Sequence, residues 1–389
     1  MSHTSSGRVV VAFNRDYEGA KADPENRARE DVVGVAKDVS AALVEANFTV
    51  DTVGVTDDVG LAVNDIAELR PDAVFNLCES FAGQGRFEAA FPLLLELAGL
   101  AYTGSTAPTL LLSVYKDRAK QILQAAGIST PVGLRVDGPS VPEGFVMPGP
   151  MIVKPSREDA SVGISAASVV DTRTELEAQV SHVWERYRQP VLIEQFIEGR
   201  EIYVGKLDEP LQTGARPVTC RILPLFEVDF STMPPDRRHV VTFDAKWNET
   251  SPDYLSTPTR PVCDLPRHTV ERIELVARAA FAALDLRDYG RVDIRLSQEG
   301  IPYVIDVNPN CDVSKVAGFA KAARAAGESY ESVIAHIARL ALARKDADTI
   351  PLTNRSRHTG KAGGRSAQSL SRRGNSVRAR TARSGSGSA

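Results

Sequence analysis

The chain has 389 residues, 43% of them hydrophobic and 25% charged, with a formal net charge of −4, which is enough apolar material to bury the cores of two or three domains. The longest apolar run, Ala89 to Ala101, carries Glu96 and is too short to span a bilayer, and Met1 to Arg8 is too polar for a signal peptide. Cys78, Cys220, Cys263 and Cys311 lie far apart and the six histidines are scattered, which argues against paired-cysteine zinc or redox motifs and gives no local support for histidine catalysis; reduced thiols and a cytoplasmic location are expected.

In chain order, Arg8 to Phe13 reads as a buried strand and Glu30 to Ala46 has helical spacing. Phe48 to Val55 and Asp72 to Leu77 read as strands with a short helix at Ile66 to Leu69 between them, an alternation that predicts a parallel sheet with helices on its faces. Ligands of such sheets sit at the C-terminal strand ends, so Asn14-Arg15-Asp16 and Asn76-Leu77-Cys78-Glu79-Ser80 are candidate substrate contacts. Phe87 to Ala98 and Asp117 to Ala126 read as helices, the second closed by Gly127, and Gly138 to Pro150 as a connector. Met151 to Pro155 is a strand carrying Lys154; the small, polar loop Ser156 to Ile164 and a second apolar stretch to Val170 follow it. A Ser/Gly loop between strands can lay backbone N–H groups over phosphate oxygens, with Lys154 as the point charge beneath. Val191 to Gln195 is a buried strand running into a Glu198-Gly199-Arg200-Glu201 turn, whose acceptors and backbone groups suit an adenine edge and ribose hydroxyls. The region from Val204 to Asn308 is rich in hairpins, covered by helices at Thr269 to Leu284 and Tyr330 to Arg344.

The most informative segment is the pair Tyr289 to Leu296 and Pro302 to Pro309, each alternating apolar and polar residues around a Ser297 to Ile301 turn. If Asp293 pairs with Asp306, Arg291 falls opposite Asn308 and all four side chains share one face. Opposed carboxylates repel, so this arrangement requires a cation, and oxygen-only donors suit Mg²⁺ or Mn²⁺ rather than zinc. Arg291 adds a fixed positive charge for a phosphate or a developing oxyanion. An ordinary hairpin with a solvated polar face is the competing reading.

In this order the segments resemble an ATP-grasp ligase, most closely the D-alanine–D-alanine ligase family, over roughly Phe75 to Leu340. Arg291-x-Asp293 and Asp306-x-Asn308 match the family's metal signature, with Asp306 where the family usually has Glu, a carboxylate shorter by roughly 1.3–1.5 Å. Lys154-Pro-Ser-Arg-Glu-x-x-Ser161-Val-Gly163, the Glu194 to Glu201 segment, Tyr102-Thr103-Gly104-Ser105 and Lys116-Asp117 match as well. The resemblance implies an α/β ATP-grasp fold: an N-terminal α/β domain (1–105), a first lobe (106–203) and a second lobe with the metal site (204–345) clasping ATP, with a basic, disordered tail at 346–389. It implies an ATP-dependent carboxylate–amine ligase working through an acyl phosphate, with ATP and two Mg²⁺ (or Mn²⁺) ions. The implied metal ligands are Asp293, Asp306 and Asn308; the nucleotide contacts are Lys116, Lys154, Ser161, Glu194, Gln195, Ile197 and Glu201; Lys246 and Arg291 serve the transferred phosphoryl group and the oxyanion. A nucleotide-binding regulator or scaffold with little turnover is the alternative, and a phosphotransferase a minor third. Expected partners are small amino acids or peptides, with neither specific nucleic acid nor a membrane span; a homodimer is left open.

Departures from the family fall on the substrate side. Ala160 replaces a Ser, Trp247 a Tyr and Ala317 the Ser that holds the second amino acid's carboxylate, while Asp312 would repel that carboxylate or attract an amine. The family's N-terminal Glu has no clean counterpart, Glu30 and Asp31 being nearest. Cys311 reads as a packing residue. From Thr353 to Ala389 there are nine Lys or Arg and no Asp or Glu; removing those nine charges takes the formal charge from −4 to −13. This tail lacks aromatics and periodicity, so nonspecific electrostatics is the most it suggests.

Overall fold

A computed structural model describes residues 6–15, 32–209 and 220–345; Asp16, Glu30, Asp31 and the basic tail lie outside the described residues. Strands β1 (Arg8–Asn14), β2 (Thr49–Val55) and β3 (Ala73–Leu77) form a parallel sheet in the order β2-β1-β3. Val9 to Ala12 are fully buried because both faces are covered. Helix Val32–Glu45 packs on one face; Val59–Glu68 and Ala90–Ala98 pack on the other. The second helix is longer than the expected Ile66 to Leu69, because Asp58 caps its start by accepting from the Leu61 N–H at 3.0 Å. The third begins at Ala90 rather than Phe87, since Gly85–Phe87 is a separate 3₁₀ turn.

Strands β4 (Gly133–Val136), β5 (Met151–Pro155), β6 (Val169–Val170) and β7 (Val191–Gln195) form an antiparallel sheet ordered β4-β7-β5-β6, with helix Arg173–Tyr187 packed against it. The apolar stretch expected up to Val170 shrinks to the two residues of β6, after a 3₁₀ turn at Ala166–Ser168. The third sheet contains β8 (Gly199–Asp208), β9 (Cys220–Ile222), β10 (Phe226–Val228), β11 (Thr259–Pro261), β12 (Tyr289–Ser297) and β13 (Pro302–Asn308), ordered β11-β10-β8-β12-β13 with β9 on β8. Two expectations are corrected here. The Glu198 to Glu201 turn is instead the start of β8, where Gly199 pairs with Ser297 at φ +139° and any side chain would collide with the Leu296 carbonyl. Helix Arg267–Ala283 covers this sheet as expected, but Tyr330–Arg344 packs on Val32–Glu45 and β3, because Ile334, Ile337 and Ala338 bury with Val35, Val39 and Leu43. Arg344 fixes it there through an ion pair with Asp288 and a 2.8 Å hydrogen bond to the Tyr102 carbonyl.

Candidate active site

The β12–β13 hairpin pairs Arg291 with Asn308 and Asp293 with Asp306, the register that the alternating pattern predicted. A bulge follows the Asp293 step, so that Ile294 pairs with Val304 and Ile305 is left over. The bulged residue's carbonyl accepts from Lys120 Nζ at 3.0 Å, and its side chain lines the cleft. Each opposed carboxylate has a cationic side chain beside it. Arg291 donates from Nε to Asp293 Oδ1 at 2.6 Å and from a terminal nitrogen to Oδ2 at 3.0 Å, with its guanidinium 4.6 Å from the Tyr203 ring centroid. Lys116 Nζ lies 2.8 and 2.7 Å from the two Asp306 oxygens. Burial pushes the Asp306 carboxyl up, but the Lys116 and Lys154 charges outweigh it and hold it below its ordinary value of 3.8. Asn308 donates to Asp293 Oδ2 at 3.3 Å.

Behind this face lies a lysine layer. Lys116 is only 5% exposed, which removes the reading that it is an ordinary surface lysine. Lys154 Nζ is 2.7 Å and Lys120 Nζ 2.9 Å from opposite oxygens of Glu194, a carboxylate that is 1% exposed. For Lys120, burial, aided by the Lys154 charge, prevails over the Glu194 and Asp306 carboxylates and lowers the ammonium to about 8; Glu194 faces two lysines and stays below its ordinary value despite its burial. Burial and the nearby Arg291 charge lower the Lys246 ammonium in the same way.

The loop after β5 lies across the cleft. It turns through left-handed conformations at Ala160 (φ +55°), Ser161 (φ +61°) and Gly163 (φ +78°), and a Cβ at 163 would come within 2.5 Å of the Pro155 ring. Asp159 Oδ1 meets Lys116 Nζ at 2.7 Å, and Glu158 accepts from Gln189 at 2.7 Å. Trp247, at the end of the short helix Phe243–Trp247, donates from Nε1 to the Ala160 carbonyl at 2.9 Å. The two family positions that depart from the expected Ser and Tyr therefore meet each other, with an indole and a backbone carbonyl in place of two hydroxyls.

Two cavities adjoin this face. The larger, about 540 Å³ and within the range of about 300–1,000 Å³ common for ligand sites, brings together Lys116, Lys154, Ser161, Glu201, Lys246, Arg291, Asp293, Asp306 and Asn308. Glu194, Gln195 and Ile197 do not line it, contrary to the expectation that they face the nucleotide directly. The Glu194 carboxylate is taken up by lysines, the Gln195 N–H donates to Val132, and the Ile197 carbonyl accepts from Arg295 at 2.9 Å. The smaller cavity, about 150 Å³, is bounded by Asn14, Glu79 and Ser80 at the strand ends of the first sheet, by Glu88, and by Lys246, Arg291 and Asp312. Among the described residues no three His, Cys, Asp or Glu side chains gather as a cage for a metal. The donors on the hairpin face are two carboxylates and one amide oxygen, a set that fits Mg²⁺, which commonly takes one or two carboxylates and completes its shell with phosphate and water.

Several site residues had no clear signal in the sequence. Arg295, 3% exposed, donates to Glu201 at 3.1 Å and to the carbonyls of Ile197 and His239 at 2.9 Å, tying β12 to both segments. Asn310 donates to Glu88 at 3.0 Å and to the Cys78 carbonyl at 3.1 Å, and accepts from Tyr289 at 2.8 Å. Lys120 did have a signal, since it lies one helical turn after Lys116 on the same face.

Residues 145–339 match the family model described as "D-ala D-ala ligase C-terminus". The chain is 30% identical to "Uncharacterized protein y4sG" of Sinorhizobium fredii over 77% of this chain and 85% of that one. It is 29% identical to the D-alanine–D-alanine ligase of Desulforudis audaxviator, over 79% and 92% respectively. In structure it is similar to the D-alanine–D-alanine ligase from Bacillus anthracis solved in complex with ATP, with a TM-score of 0.64 at 22% identity over 88% of this chain and 100% of that one. The fold is therefore ATP-grasp.

Proposed function

The chain belongs to the D-alanine–D-alanine ligase family of ATP-dependent, C–N bond-forming ligases, and on that premise we propose that it activates a carboxylate as an acyl phosphate and transfers the acyl group to an amine, with D-alanine not the preferred substrate at both positions. The observation that carries this reading is the convergence of Arg291, Asp293, Asp306, Asn308, Lys116, Lys154 and Lys246 on one cavity beneath the Ser156 to Gly163 loop. A nucleotide-binding scaffold has little use for Arg291 and Lys246 at the point where phosphoryl transfer would occur.

The chemistry follows from the layout. A substrate carboxylate oxygen attacks the γ-phosphorus, the bond to the β–γ bridging oxygen breaks, and ADP leaves; an amine then attacks the acyl carbon, loses a proton, and phosphate departs. Lys116 and Lys154 hold the α- and β-phosphates, Lys246 approaches the γ-phosphate, and Arg291 stabilises the acyl phosphate and the oxyanion. Glu194 sets Lys154 in place from behind, and Glu201 with Arg295 shapes the nucleotide end. Divalent cations held by Asp293, Asp306 and Asn308 would supply charge neutralisation on the β- and γ-phosphates. The loop over the cleft excludes the water that would hydrolyse the intermediate. In this reading the parallel sheet, the β4–β7 lobe and the β8–β13 lobe serve as the domain pieces of a clasp.

Substrate departures support an acceptor other than D-alanine. Asp312 lines both cavities and accepts from the Ser314 N–H at 2.7 Å, and Ala317 offers no hydroxyl at the start of helix Gly318–Ala325. The deciding experiment measures phosphate release from ATP with Mg²⁺ across free amino acids, hydroxy acids and dipeptides. Release that depends on both an acid and an amine supports the ligase, and tight nucleotide binding with no release under any combination refutes it.

A further inference from the structure

The larger cavity reaches well past the hairpin face. The third sheet runs in the order β13-β12-β8-β10-β11, and Thr259 on its last strand lines the same cavity as Arg291 on β12. Three strand spacings separate the two, roughly 14 Å. At this far end Lys321, from helix Gly318–Ala325, donates from Nζ to Thr259 Oγ1 at 2.9 Å and lines the cavity too. Burial and the neighbouring Arg324 charge both disfavour its ammonium, and among the described residues no carboxylate offsets them. The ammonium has further N–H donors, and the Thr259 hydroxyl keeps its own proton, so the pair suits an anion. The near end has the opposite sign. Asp312 lines the cavity there, and its charge reaches Lys246, beside the proposed point of phosphoryl transfer. The same wall carries Val316 and Leu255, which are 75% and 69% exposed, so it offers apolar surface as well as charge.

A free α-amino acid has a single carbon between its amine and its carboxylate. With its amine beside Asp312, it would bring the carboxylate against that same anion, and Ala317 has no hydroxyl to offset the repulsion. Lys321 lies one helical turn beyond Ala317, its N–H donating to the Ala317 carbonyl at 3.0 Å, and its ammonium is held at β11. An acceptor that meets both charges therefore needs its carboxylate far from its amine. A peptide extends by roughly 3.3–3.6 Å per residue, so about three or four residues cover the span.

We propose that the amine acceptor is a short peptide, with its amine beside Asp312 and its C-terminal carboxylate on Lys321 and Thr259. The inference rests on the ligase reading of the cleft. A second carboxylate on the activated acid shares the chemistry, and the experiment separates the two sources.

Full-length protein with ATP, Mg²⁺ and one fixed acid that supports phosphate release is offered glycine, diglycine, triglycine and tetraglycine, each as the free acid and as the C-terminal amide. Joined products are identified by mass. The expected kcat/KM is about tenfold or more higher for triglycine or tetraglycine than for glycine, and about tenfold or more higher for that peptide than for its amide. Glycinamide, by contrast, should outdo glycine. Lys321→Met should bring the peptide's acid-to-amide ratio to about one, Lys321→Arg should keep most of it, and Thr259→Val should reduce it; a merely structural role would lower both rates and leave the ratio alone. Glycine used as well as the longer peptides, or a ratio that survives Lys321→Met, overturns the proposal. A second arm offers glutamate against glutamine as the acid, and a Lys321-dependent preference found there instead assigns the anion site to the acid and overturns the peptide. If no combination yields product or phosphate, the ligase reading fails, and calorimetric titration of triglycine and tetraglycine against their amides, with ADP and Mg²⁺ present, still judges the subsite. Tighter binding of the free peptide that is lost in Lys321→Met supports it; equal binding, or none, overturns it.

Discussion

Replacing Trp247 with Phe removes one hydrogen bond, from the indole to the Ala160 carbonyl at 2.9 Å, and keeps an aromatic ring near Lys246. A neutral hydrogen bond contributes about 0.5–1.5 kcal/mol net, which corresponds to a shift of roughly two- to thirteenfold in the balance between docked and undocked loop. The docked loop also carries Ala160 and Ser161 in the left-handed region, a conformation that costs about 1–2 kcal/mol for each non-glycine residue, so it depends on outside contacts to stay in place. Amide hydrogen exchange at Glu158 to Ile164 should therefore quicken about two- to thirteenfold while helix Arg267–Ala283 is unaffected. With the lid looser, more phosphate should be released per amide bond formed, as water reaches the acyl phosphate. Unchanged exchange in the loop refutes the latch. Faster exchange everywhere would also refute it, because the indole would then be supporting the fold rather than the loop.

Asp293→Asn should abolish turnover while leaving the circular dichroism spectrum intact, since Asn still accepts from Arg291 but lacks the charge needed for Mg²⁺; undiminished phosphate release would sink the metal assignment. The double change Asp312→Gly with Ala317→Ser should raise the use of D-alanine as acceptor by about tenfold or more, because it removes a repelling charge and adds a hydroxyl; a dipeptide-forming rate that stays flat would count against this substrate reading. Glu88 gives a pH signature. Its folded-state carboxyl is raised, so the folded protein keeps a proton that the unfolded chain loses above about 4.5, and stability should fall as pH rises through the window above that value. Urea midpoints from pH 4.5 upward should show this slope, and Glu88→Gln should flatten it; equal slopes in both proteins would rule out Glu88 as its source.

What could be read in the sequence was what depends on near neighbours. The hairpin register follows from period-two alternation over eight residues and a short turn, and Asp293 opposite Asp306 is a direct consequence. The cleft loop was visible because Ser, Gly and Lys fall between two apolar runs. Pairings set by distant chain segments were not visible. Glu88 meets Asn310 across 222 positions, and Arg295 meets Ile197 across 98. Helix Tyr330–Arg344 carries apolar residues that would suit either sheet, and only the assembled core shows that Val35, Val39 and Leu43 receive them. The Glu198 to Glu201 segment misled because Gly199 signals a turn, whereas here it opens β8 and permits close approach to Leu296.

The pairing of Lys116 with Asp306 and of Arg291 with Asp293 bears on the order in which the cleft fills. A bare divalent ion arriving first would have to push a buried cation off each carboxylate, leaving Lys116 with Asp159 alone. A nucleotide arriving alone would bring phosphates toward lysines that already have partners. An ion carried on its nucleotide meets neither obstacle: its charge goes to the carboxylates as the phosphates receive the freed lysine and arginine, so every charge changes partner and none is stranded. If the hairpin face holds the ion as proposed, entry as a preformed complex would be the route of least electrostatic resistance, with Lys116 the cation it displaces from Asp306.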